Sequence, residues 1–77
     1  MRYFKYASFD KKITQIWAKR EKDGYEKRLS PDLSSVAEEL EWHNPYDLFG
    51  ESVTDLVNTN TFGWSEITKE EAFLELL

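Results

Sequence analysis

The chain's single histidine, His43, stands within four residues of three carboxylates, Glu39, Glu41 and Asp47. A histidine oriented by a carboxylate is the usual general acid–base pair, but it also needs a nucleophile or a substrate proton within reach. Serines and threonines abound, yet no motif joins one of them to His43. A metal site would have to draw every other ligand from carboxylates, because the chain has no cysteine, and their spacings match no ligand pattern. His43 therefore reads as a surface or helix-terminal residue. The carboxylate pairs Glu38/Glu39, Glu70/Glu71 and Asp47/Glu51 fall mainly on the polar sides of helices, where acids need no functional explanation. The three glycines, Gly24, Gly50 and Gly63, make no phosphate-binding loop. No catalytic residue, metal or cofactor is expected, and the sequence favours a non-enzymatic protein.

The aromatic residues point to contact instead. Glu41–Glu51 (EWHNPYDLFGE) holds a tryptophan, the histidine, a tyrosine and a phenylalanine. If a helix ran straight through Trp42, its ring would lie about 160–180° from the Leu40 side, at roughly 100° per residue, and would face solvent. The other reading has the helix already ended and Trp42 folded back with Leu48 and Phe49 into a corner against the last helix. Large aromatics of small domains are mostly buried, which favours the corner. Should the stretch meet a partner, Trp42 and Tyr46 are the anchors and Glu38, Glu39 and Glu41 the charged rim.

Charge is divided along the chain. Residues 1–28 carry nine lysines and arginines against four acids, and residues 29–77 one lysine against eleven acids, for a net charge of −5. The acidic half suits another, basic protein as partner. The alternative is nucleic-acid contact through the basic hairpin, using Lys19, Arg20, Lys22, Lys27 and Arg28 with Tyr25 to stack on a base. Glu21, Asp23 and Glu26 interrupt that patch, and the molecule as a whole repels nucleic acid. A dipolar molecule of this kind is also open to weak, salt-sensitive self-association.

These residues need elements to hold them, and 77 residues suffice for one domain. At this length only about 60% of the unfolded chain's surface is buried on folding, so three Trp, four Tyr and five Phe must supply much of the core. Aromatic and β-branched runs predict strands at Arg2–Phe9 and Lys12–Glu21, with a turn at 9–12. Asp23-Gly24 signals a hairpin to a third strand at Tyr25–Leu29. A two-residue loop would oppose three pairs of like charges, so a three-residue loop, Lys22-Asp23-Gly24, is expected. It puts Arg20 opposite Glu26 and Trp17 opposite Leu29, with Ile13, Trp17 and Leu29 facing the core.

Ser30-Pro31-Asp32 opens a helix whose apolar face is Leu33, Val36, Ala37 and Leu40. A short turn of helix follows Asn44-Pro45, and Ser52–Asp55 caps another unless a strand forms there. Thr61–Glu66 reads as a fourth strand with Phe62 and Trp64 on one side, and Gly63 marks a bulge or a close backbone approach. Thr68–Glu71 is a capping box for a last helix presenting Phe73, Leu76 and Leu77. The expected fold is α+β: a three-stranded N-terminal meander, a fourth strand near 61–66, and helices covering one face. No apolar run is long enough for a signal peptide or a membrane span, so the expected location is the cytoplasm.

Overall fold

The computed structural model describes residues 1–29, 42–48 and 51–77. Within them, β1 (Arg2–Ala7), β2 (Thr14–Lys19), β3 (Glu26–Leu29) and β4 (Trp64–Ile67) form one antiparallel sheet in the order β3-β2-β1-β4. The N-terminal meander is thus extended on the free side of β1 by the strand expected near 61–66. The described helices are α1 (Pro45–Leu48), α2 (Val53–Asn58) and α3 (Lys69–Leu76). The domain is α+β. The helix expected from Ser30 to Leu40, the acids Glu38, Glu39 and Glu41, and the packing expected of Leu48 and Phe49 lie outside the described residues and side chains.

Strand alternation sorts the side chains onto two faces. On one, Tyr3, Ile16, Ala18 and Leu29 join Ala72 and Leu76 of α3 in the main core, with Trp42, Ile67 and Phe73 packed against it. Tyr3 meets Phe73 edge-on at 5.9 Å, and Lys5 Nζ reaches the Glu75 carboxylate at 3.0 Å. The opposite face carries Phe4, Trp17, Glu26 and Trp64, and α2 approaches it through Val53. The helices therefore divide between the faces, α3 over one and α2 over the other.

Hairpin register departs from expectation. Lys19, not Arg20, pairs with Glu26, and Ile16, not Trp17, pairs with Leu29. Arg20 and Tyr25 close a four-residue loop: Arg20 N–H donates to Tyr25 O and Gly24 N–H to Arg20 O, each at 2.9 Å. Asp23 holds this loop, accepting from Tyr25 N–H at 3.0 Å and from the Arg20 guanidinium at 2.7 Å. Gly24 takes the left-handed conformation expected of it, φ 74°. A slip of one residue exchanges the two faces of a strand. Ile16 and Ala18 consequently take the core places expected for Ile13 and Trp17, and Ile13 is exposed.

The short helices follow their caps. Ser52 Oγ accepts from Asp55 N–H at 3.1 Å while the Asp55 carboxylate reaches back to Ser52 N–H, which settles 53–58 as helix rather than strand. Thr68 Oγ1 accepts from Glu71 N–H at 3.1 Å to start α3. On α3 the buried pair is Ala72 and Leu76, four residues apart, and Leu77 is exposed rather than packed. Phe62 also lies outside the core, because the strand begins only at Trp64.

Gly63 marks the close approach. Its φ is 88°, and a Cβ there would stand 2.5 Å from Ala7 O and 2.9 Å from the Tyr6 ring. Ala7 N–H donates to Gly63 O at 2.9 Å, so the backbone cannot retreat without losing the bond. Gly63→Ala is expected to cost about 1–3 kcal/mol in urea unfolding. A loss below a few tenths of a kcal/mol would mean the loop relaxes freely.

Two exposed carboxylates give stability a pH dependence. The Arg2 guanidinium, bonded at 2.7 Å, holds the Glu66 carboxyl below its ordinary value. Lys12 N–H and the Ser8 hydroxyl do the same for Asp10 in the 8–13 turn. Both folded-state values lie below the unfolded ones, so their contribution is fully present above the ordinary carboxylate range and is lost as pH falls from there through the lower folded-state values. Wild type is expected to be more stable than Glu66→Gln at pH 7, with the gap closing below about pH 4. A gap that stays constant down to pH 2.5 would refute the assignment.

Candidate interaction cleft

Glu26 organises the second face. It sits in β3, the edge strand, and its backbone N–H and O both bond His43, which runs alongside as an isolated bridge at 3.0 and 3.1 Å. Its side chain turns inward and is 2% exposed as a residue. Both carboxylate oxygens lie 3.1 Å from Val53 N–H, the first turn of α2, and Oε2 also accepts from Lys19 Nζ at 3.0 Å. One residue, through its backbone and its carboxylate, thus ties the sheet, the 42–44 segment and α2 together.

Above it opens a cleft of about 220 Å³ walled by Trp17, Trp64, His43, Pro45, Val53 and Leu56, with Glu26 at its base and Glu51 beside it. The two indoles stand 6.4 Å apart and tilted by 53°, so they form a corner rather than a stack. The His43 ring meets Trp17 edge-on at 6.1 Å, and Trp17 Nε1 donates to Gln15 Oε1 at 3.1 Å, which fixes that indole's orientation. Tyr6 backs Trp64 at 5.3 Å. The cleft is smaller than the roughly 300–1,000 Å³ typical of small-molecule sites. Its size suits one inserted side chain. Among the described residues, no group of three His, Cys, Asp or Glu side chains is placed to hold a metal ion.

The residues singled out in the sequence are dispersed. Trp42 is half-buried on the α3 side, against the main core, with the Arg20 guanidinium 4.6 Å and Lys27 Nζ 6.0 Å from its ring centroid. Tyr46 is 58% exposed beside Pro45, and its hydroxyl donates to Asp55 Oδ2 of α2 at 3.0 Å. The hairpin cations are largely engaged: Lys19 with Glu26, Arg20 with Asp23 and with the Tyr25 ring at 5.6 Å. Lys27 is 2% exposed, leaving Lys22 and Arg28 in the open. Phosphate contact by the hairpin would have to dismantle those pairs.

Trp17, Trp64 and Glu51 were not singled out as site residues. Trp17 and Trp64 sit in strands about 47 residues apart in sequence, and only the order β2-β1-β4 brings them to one face. A second apolar feature lies at the end of the sheet, where the exposed rings of Phe9 and Phe62 meet at 5.9 Å. Among the described residues no helix is long and apolar enough to cross a membrane. The chain matches no protein-family model, no curated protein and no solved structure.

Proposed function

We propose that this domain acts without catalysis, in the cytoplasm, by binding another protein, and that the contact centres on the Trp17–Trp64 cleft. The observation that carries the reading is the cleft itself, a corner of two half-buried indoles sized for one side chain and flanked by exposed Tyr46. Tryptophan and tyrosine in such pockets supply most of the energy of many interfaces, and truncating one often costs about 2 kcal/mol or more. Tyr46 is the exposed aromatic of this surface.

The test is affinity capture from nuclease-treated lysate with wild type, Tyr46→Ala, Trp64→Leu and the control Arg28→Ala, each first checked for its fold by circular dichroism. Proteins held by wild type and Arg28→Ala should be lost from Trp64→Leu, a weakening of about 30-fold. Equal capture by wild type and Trp64→Leu would remove the cleft from the interface. Loss of all capture on nuclease treatment would transfer the function to nucleic-acid binding.

A further inference from the structure

We infer that the side chain this cleft receives is cationic, a lysine or arginine of the protein partner; the inference rests on the binding role proposed for the cleft. The protein's own rings supply the first argument. Arg2 lies over Phe4, Arg20 over Tyr25 and Trp42, Lys27 over Trp42 and Lys69 over Phe73, at 4.6–6.0 Å from the ring centroids. Among the described residues, the two indoles that carry no internal cation are Trp17 and Trp64, the walls of the cleft. An indole face is the best aromatic partner for a cation, and two inclined faces surround it on two sides.

Charge supplies the second argument. Glu26 at the base is already matched by Lys19 at 3.0 Å. Glu51, exposed beside the cleft, makes no ion pair among the described residues. The uncompensated charge next to the indoles is therefore negative. The net charge of −5 has the same sign and would draw a basic segment toward the site at low salt. An apolar stem against Val53, Leu56 and Pro45, ending in an ammonium between the indoles and within reach of Glu51, uses every wall but His43. A neutral side chain of equal length would leave the Glu51 carboxylate and the indole faces unused.

The experiment titrates the full chain with N-acetyl-lysine methylamide and with its uncharged analogue N-acetyl-norleucine methylamide, which has the same stem without the ammonium. The indole Nε1–H signals of Trp17 and Trp64 are followed by NMR, with Trp42 as internal control. The lysine derivative is expected to bind about tenfold more tightly, and Glu51→Gln or higher salt to shrink the difference several-fold. Glu51 is exposed, so that variant does not test folding. Equal or tighter binding of norleucine would overturn the cationic assignment while leaving the cleft as an apolar docking site. If neither probe moves the two cleft indoles, the docking role of the cleft falls with it. Binding of choline without binding of the lysine derivative would assign the site to a free quaternary ammonium compound and overturn the protein source.

Discussion

Phe4→Ala is expected to remove about 3–5 kcal/mol of folding free energy, the usual cost of truncating a fully buried aromatic ring. Phe4 is 0% exposed and lies in β1, an inner strand, with Trp17 as its partner in β2 and Glu66 in β4. Few groups can collapse into the space it leaves. Arg2, whose guanidinium lies 5.4 Å from the ring centroid, is committed to Glu66, and the indole of Trp17 is held by Gln15. A single core of this size supplies only about 3–5 kcal/mol altogether, so the variant should be largely unfolded without denaturant.

Urea unfolding followed by far-ultraviolet circular dichroism measures the loss, with Phe9→Ala as the comparison. Phe9 is 86% exposed, and its truncation should stay within about 0.5 kcal/mol. A cost below about 1.5 kcal/mol for Phe4→Ala would mean that the second face is not a packed layer.

The contrast between these two phenylalanines marks how far the sequence carried the fold. Alternation in RYFKYASF placed Phe4 in a strand expected to run on to Phe9, whereas the strand ends at Ala7, and composition alone weights the two rings equally. The strands and caps were legible because their causes are local: β-branched and aromatic runs, Ser52 with Asp55, and Thr68 with Glu71. The hairpin register was not. Counting cross-strand charge pairs favoured Arg20 opposite Glu26, whereas Asp23 binds both Arg20 and Tyr25 N–H and lengthens the loop by one residue. That residue moved Ile16 and Ala18 onto the main core and turned Trp17 to the other face.

From there the cleft follows, since Trp17 can meet Trp64 only across β1. Pairing between strands distant in sequence is a tertiary fact, and no spacing in the chain encodes it. Lys27 shows the same limit. It looked like a phosphate contact among hairpin cations, yet it shares Leu29's face and is covered by Trp42. Trp42, in turn, packs on the main core, half-buried, with Arg20 across its face.

Breaking the pair beneath the cleft should be the other large effect. Glu26→Ala is expected to cost about 3 kcal/mol, the lower end of the range for removing one partner of a buried ion pair. The lower end applies because the two side chains differ in burial. Glu26 is 3% exposed and Lys19 18%, so an abandoned lysine can swing toward water, and it keeps Gly24 O at 3.2 Å. The Val53 N–H cannot follow. It loses both carboxylate oxygens at the first turn of α2 and is left unpaired in a buried position, which alone costs about 1–3 kcal/mol.

Lys19→Met strands the more deeply buried charge, but Val53 N–H still serves that carboxylate. Its cost should therefore be similar to that of Glu26→Ala rather than larger. Replacing both partners, Lys19→Met with Glu26→Leu, removes the charges together and should recover part of the loss, giving a coupling of at least 1 kcal/mol in a double-mutant cycle. Additive costs would show that Lys19 and Glu26 act separately, with the carboxylate serving only as the cap of α2. Single-mutant costs under about 1 kcal/mol would place the pair with ordinary surface ion pairs, and the base of the cleft would then be open to water.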